Sequence, residues 1–111
     1  MTILGSDQSG VTEESINAIT QLYMQGEKLE EIAIVGSSSM DIICTFTFEG
    51  NKVYKASGFS IGYGGEGCRG LWKMIQLFYS KNKNIDFKDS KITNMEYGKW
   101  RWNPNEDFKK E

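Results

Sequence analysis

Ile42-Ile43-Cys44-Thr45-Phe46-Thr47-Phe48-Glu49-Gly50-Asn51-Lys52-Val53-Tyr54-Lys55-Ala56 alternates at a period of two on both sides of a Gly-Asn pair, and this stretch sets the fold class. Successive side chains of a strand point to opposite faces, so Ile42, Cys44, Phe46 and Phe48 share one face and Ile43, Thr45 and Thr47 the other. Gly50-Asn51 tolerates the left-handed backbone that a tight turn demands. The chain therefore returns as another strand, with Val53 and Lys55 on one face and Tyr54 and Ala56 on the other. Upstream, the period of two begins at Leu29 and carries Ile32 and Ile34, and Gly36-Ser37-Ser38-Ser39 reads as the turn into Ile42. Three consecutive strands joined in this way predict an antiparallel sheet.

Outward from the meander the period changes to that of a helix. Ile16, Ile19, Leu22 and Tyr23 recur on one face, Thr12 is placed to cap, and Glu13 and Glu14 suit the positive end of the helix dipole. Val11 can staple onto Ile16 and Gly26 can stop the run, which predicts helix one over Glu13 to Gln25. Leu71, Trp72, Ile75, Phe78 and Tyr79 form a second apolar stripe, predicting helix two over Arg69 to Ser80, packed on the sheet. Lys81 to Ser90 reads as an exposed connection tacked down by Ile85 and Phe87. A last strand is expected from Lys91 to Trp102, with the charged end beyond Pro104 fraying or serving an oligomer contact. The expectation is one α+β domain over residues 1–111, a small antiparallel sheet of about four strands packed with two helices.

Composition narrows the functions open to such a domain. At 111 residues, folding buries roughly 65% of the unfolded surface, enough for one core. A formal net charge of −2 offers no general attraction for DNA, RNA or anionic lipid, so any nucleotide bound should be small and held locally. No basic leader and no apolar run of ~20 residues is present, so a cytoplasmic, non-membrane protein is expected. Cys44 and Cys68 are too few and too scattered for a disulfide framework or a zinc site. The chain contains no histidine, which removes Ser-His-Asp and Cys-His catalysis and most zinc chemistry.

Gly58 to Gly70 holds six of the twelve glycines at the predicted junction of strand and helix two. Glycine permits positive φ and close approach to the main chain, at a cost of about 0.5–1 kcal/mol relative to Ala inside regular structure. At such a junction the free amides and the helix dipole form a seat for phosphate or carboxylate, to which Arg69 can add charge. Gly62, Gly64 and Gly67 match G-x-G-x-x-G, but the preceding strand is amphipathic and antiparallel and the chain is too short for a dinucleotide fold. A P-loop is excluded because Cys68-Arg69 stands where Lys and Ser or Thr would be required. Glu66 beside a phosphate is repulsive unless it pairs with Arg69 or accepts from a ribose hydroxyl or base amine. The simpler alternative is a turn whose glycines let helix two pack closely on the sheet.

Other residue types supply weaker candidates. Tyr97, Trp100 and Trp102 flank Arg101, and in a strand Trp100 and Trp102 share a face on which bases could stack, although most tryptophans are core. Arg101 points opposite; it and Arg69 are the only arginines, the residue suited to bidentate phosphate recognition, with a surface salt bridge as the default role of each. Cys68 sits where a helix N-terminus and Arg69 could favour a thiolate, but with no histidine as base a structural thiol is favoured. Glu13, Glu14, Glu27, Glu30 and Glu31 fall on solvated faces or turns with no spacing suited to acid-base work.

The hairpin, the run Gly62-Tyr63-Gly64-Gly65-Glu66-Gly67-Cys68-Arg69-Gly70-Leu71 and the helix after it resemble the phage-encoded Thoeris anti-defence sponges. The resemblance covers roughly Gly50 to Ser80 and rests on the glycine-rich run. It implies an oligomer that traps a cyclic nucleotide signal, such as a cyclic ADP-ribose isomer, without cleaving it, in a pocket rich in arginine and aromatics. With two arginines in the chain, such a pocket would have to form between subunits. The expected ligand-binding residues are Tyr63, Gly64, Gly65, Glu66, Gly67, Arg69, Trp100, Arg101 and Trp102, with no cofactor, no metal and no catalysis. The alternative is a small inhibitor or immunity protein acting on a bacterial defence protein through its glycine turn and exposed aromatics. A nucleotide-cleaving enzyme working through metal and carboxylates ranks third.

Overall fold

The meander expected from Ile42 to Ala56 forms the middle of the sheet. A computed structural model of the chain describes residues 2–7, 10–38, 40–78, 90–104 and 108–111. Strands β2 (Leu29–Gly36), β3 (Ile43–Phe48) and β4 (Lys52–Ala56) pair antiparallel, with Ile32 opposite Phe46, Ile34 opposite Cys44, and Phe46 opposite Tyr54. Gly50 and Asn51 have φ of 87° and 59°, the left-handed backbone required by the turn between β3 and β4.

Three further strands complete the sheet. β5 (Gly98–Trp102) pairs antiparallel with β2, and β6 (Lys109–Lys110) pairs antiparallel with β5. On the other side β1 (Thr2–Ser6) lies parallel to β4. The order is β1-β4-β3-β2-β5-β6. The sheet is thus six-stranded and mixed, not an antiparallel sheet of about four strands. Thr2 to Ser6 shows no alternation, and its partner lies beyond one helix and two strands, so no local period announces it.

Helix α1 spans Thr12–Met24 and helix α2 spans Glu66–Phe78, with Gly26 at φ 90° just beyond the C-cap of α1. Thr12 is the first helical residue and not the cap; its hydroxyl donates instead to Gly58 O at 2.7 Å. α2 starts three residues earlier than expected, because Glu66, Gly67 and Cys68 already adopt the helix. A third helix, α3 (Ser90–Thr93), occupies the start of the segment expected to be strand. Ile92 of that turn is fully buried and its carbonyl accepts from the amides of Gly62 and Met95. The expectations for Tyr79, Ser80, Ile85 and Phe87 lie outside the described residues. Of the two roles expected beyond Pro104, fraying is not what Lys109 and Lys110 do: they pair with β5 as β6.

The core cluster lies on one side, and Val53, 5% exposed, is a buried side chain of the other. Ile19, Leu71, Met74, Ile75 and Ile92 of the helices pack with Ile32, Ile34, Cys44, Phe46, Phe48 and Trp102 of the strands. Each fully buried side chain of this size contributes about 1.5–3 kcal/mol of transfer free energy, which makes this layer the source of most of the stability. Among the described residues no helix covers the opposite face, where Val35 and Ile43 stay 46% and 40% exposed. No described helix is long and apolar enough to cross a membrane.

Candidate functional site

The turn between β4 and α2 is held rigidly at its start. The Asp7 carboxylate accepts from Ser57 N at 3.0 Å, Ser57 Oγ at 2.7 Å, Ser15 Oγ at 2.9 Å and the Tyr54 hydroxyl at 3.2 Å. Ser15, fully buried in α1, in turn accepts from Gly58 N at 2.9 Å. One carboxylate thereby joins the end of β1, the first turn of α1 and the end of β4. Buried or partly buried polar groups satisfied this completely fix a single geometry. Sequence reasoning missed Asp7 and Ser15, since nothing local distinguishes them from solvated polar residues.

Packing accounts for most glycines of the run. A Cβ on Gly58 would lie 2.5 Å from both Ser15 Oγ and Val11 O, and one on Gly70 would lie 2.5 Å from the Thr12 methyl. Gly62 has φ 83° and faces Tyr97 and the Met95 carbonyl at about 3 Å. Gly67 sits against Ser60, and a Cβ on Gly65 would overlap the Tyr63 ring. Gly64 differs from all of these: it lacks a positive φ, and a Cβ there would meet nothing within 4 Å.

The expected ligand-binding residues consequently fall into separate places. Tyr63, Gly64, Glu66 and Arg69 are exposed together at the N-terminus of α2, with Gly65 half-buried among them and Gly67 buried beneath. Arg69 forms no ion pair with any carboxylate among the described residues. Trp102 is 1% exposed and belongs to the core. Trp100 is half-buried, donates from Nε1 to Glu96 O at 2.8 Å, and lines a hollow of about 400 Å³ with Lys91, Met95 and Phe108. Arg101 emerges on the uncovered face of the sheet, paired with Glu111 and with Glu31, and these carboxylates raise its pKa above the ordinary value. Arg69 and Arg101 thus lie on opposite sides of the sheet within one chain.

One residue that the expected set left out borders the turn. Tyr97, 38% exposed, places its ring edge 2.9 Å from where a Gly62 Cβ would stand, while the Tyr63 ring lies against Gly65. The segment 92–97 borders the turn on one side and the Trp100 hollow on the other. An aromatic five residues before Trp102 gave no sign of this, because the α3 turn that brings it there was read as strand.

Burial decides what the ionisable groups here can do. Cys44 is fully buried, and desolvation pushes its thiol far above the ordinary value. Cys68 is 1% exposed, which removes it from the solvent that a nucleophile at this turn would need to meet. Tyr54 is pushed up to about 12 by partial burial and then by the charge and hydrogen bond of Asp7. Among the described residues no cluster of three His, Cys, Asp or Glu could hold a metal ion. No protein-family model, curated protein or solved structure matches the chain.

Proposed function

We propose that the chain is a non-catalytic binding protein that sequesters a small phosphate-containing nucleotide, a cyclic nucleotide signal of the kind trapped by the sponges it resembles. The observation that carries this reading is Gly64. Neither its backbone angle nor any neighbour within 4 Å requires glycine there, yet it lies in an exposed loop at the N-terminus of a thirteen-residue helix that also carries the exposed Arg69, which pairs with no carboxylate among the described residues. A bound group pressed against the main chain supplies the missing reason. In this reading the Gly64–Glu66 amides and Arg69 hold phosphate, Tyr63 or Tyr97 stacks on the base, and Glu66 accepts from a ribose hydroxyl or base amine. Arg101 and Trp102 take no part in the seat of one chain, and Trp100 contributes only through the neighbouring hollow. The protein acts in the cytoplasm, with neither cofactor nor chemistry.

The test is a thermal melt against a panel of cyclic di- and trinucleotides and cyclic ADP-ribose isomers, followed by recovery of the ligand from the denatured complex. A rise in melting temperature with intact ligand supports sequestration, and Arg69→Ala should remove that rise without altering the unliganded melt. Cleaved ligand overturns the non-catalytic reading. No shift with any compound favours the second reading, an inhibitor or immunity protein whose exposed Tyr63 and Tyr97 anchor a bacterial defence protein, tyrosine being an enriched anchor at such surfaces.

A further inference from the structure

We propose that the recess over β4, on the uncovered face of the sheet, is a binding site for a small aliphatic carboxylate. Strand register decides which side chains meet there. Ile3 pairs with Val53 and Ser6 with Lys55, so all four stand on the face that no described helix covers. Two residues three apart in a regular strand point to opposite faces. The register shift between Ile3 and Gly5 inserts one extra residue, and this bulge turns Ser6 back to the side of Ile3. With Ile43 of β3 these residues line a hollow of about 470 Å³, within the range of small-ligand pockets.

Burial marks the hollow as a depression in the sheet. Val53 is 5% exposed, whereas Ile3 and Ile43, on the strands to either side of β4, are 73% and 40% exposed. The floor thus lies along β4, and β1 and β3 form its walls. These three side chains are aliphatic, and among the described residues no aromatic ring lines the hollow. It suits a hydrocarbon chain and gives a flat base nothing to stack on.

The polar groups of the recess select the head group. The Lys55 ammonium and the Ser6 hydroxyl, in register on neighbouring strands, make no side-chain hydrogen bond or ion pair with another described residue. An ammonium and a hydroxyl side by side can donate to the two oxygens of one carboxylate. Asp7, the acid in the lining, does not offer a matching site for a cation. Its oxygens already accept four hydrogen bonds, from Ser57 N and Oγ, Ser15 and Tyr54, which fills the acceptor capacity of a carboxylate. Ser15 belongs to α1, so those bonds turn the Asp7 carboxylate toward the helix layer. The uncommitted donors therefore favour an anion over an amine. Size disfavours a protein in its place: five strands about 4.8 Å apart and about 17 Å long give a face of roughly 400 Å², about half of the ~800 Å² per partner of a standard interface.

Calorimetric titration with octanoate, butanoate and 1-octanol tests the proposal on the wild type, Lys55→Met and Ile3→Ser. Both positions are exposed, so neither substitution opposes folding, and far-UV circular dichroism checks that it does not. The wild type is expected to bind a single octanoate, and butanoate at least tenfold more weakly, since each buried methylene is worth about fourfold in affinity. Lys55→Met should weaken octanoate roughly fivefold or more and leave 1-octanol unchanged. Ile3→Ser should weaken octanoate and 1-octanol together. No binding of octanoate at millimolar concentration overturns the proposal. Equal affinity for octanoate and butanoate overturns it by removing the hydrocarbon chain from the site, and unchanged octanoate affinity in Lys55→Met overturns it by placing the carboxylate elsewhere. Arg69→Ala, at the nucleotide seat, is expected to bind octanoate as the wild type does, so the recess and the seat stand or fall separately.

Discussion

Gly58 and Gly64 are six residues apart in one glycine-rich turn, and the molecule treats them oppositely. Gly58 is hemmed in by the Val11 carbonyl and the Ser15 hydroxyl, with its amide and carbonyl both engaged by α1. Gly64 faces open space with an ordinary backbone. At Gly58 the chain itself leaves no room for a side chain, whereas at Gly64 nothing in the chain demands glycine, and the proposed seat places that demand on a ligand. Substitutions that separate these causes test the whole reading of the turn.

Gly58→Ala should have the largest effect, because the Cβ meets backbone on one side and a fully bonded hydroxyl on the other, neither able to withdraw. A loss of about 3 kcal/mol is expected, in the range of overpacking in a rigid interior, measured as a shift of the urea midpoint. Wild-type stability in this variant would show that α1 can slide away, and the contrast with Gly64 would lose its basis. Ser15→Ala comes next. It removes the acceptor of the buried Gly58 N and one donor to the half-buried Asp7, for an expected cost of about 2 kcal/mol.

How much of this was legible in the sequence depended on whether a signal was local. The hairpin from Ile43 to Ala56 could be read because alternation and the Gly50-Asn51 turn lie within one short window. α1 could be read because its stripe and its stop at Gly26 are equally local. β1 could not, for Thr2 to Ser6 acquires its identity only by lying beside β4. The position of Asp7 is a tertiary fact of the same kind, since its four donors come from α1 and from β4 with the residue that follows it. Trp100 and Trp102 were correctly placed on one face, but which of them was core depended on how far the helices reach over β5. Arg101 was assigned to the opposite face, and its partners Glu31 and Glu111 arise only through the pairing of β5 with β2 and β6. Of the proposed seat, the cluster from Tyr63 to Arg69 was visible as a run of residues; the separation of its packed glycines from its open one was not.

Tyr54 gives the comparison a dependence on pH. Its phenol donates to Asp7, and its pKa is raised to about 12 from the ordinary 10. The folded chain keeps this proton in a range where the unfolded chain releases it. Its contribution is therefore complete below pH 10 and is lost as pH rises from there through about 12. Discounted for the exposure of the ring, the effect is about 1 kcal/mol. Urea unfolding of the wild type should show this decline, and Tyr54→Phe should show less of it. Equal slopes in the two proteins would place the titration elsewhere.

Gly64→Ala should change stability least. No atom obstructs the new methyl, and the backbone angle is one that alanine accepts, so the folded state is not strained. The unfolded chain loses freedom, which stabilises the fold by up to about 1 kcal/mol. In the proposed seat the Gly64 backbone must stay bare for phosphate to approach it. The same variant should therefore lose affinity for whichever nucleotide raises the wild-type melting temperature, by an amount comparable to Arg69→Ala. The two measurements must diverge for the proposal to hold: stability level or rising, affinity falling. If affinity also stays level, Gly64 is an incidental surface glycine, and the turn reduces to the packing device that Gly58, Gly62 and Gly70 already explain.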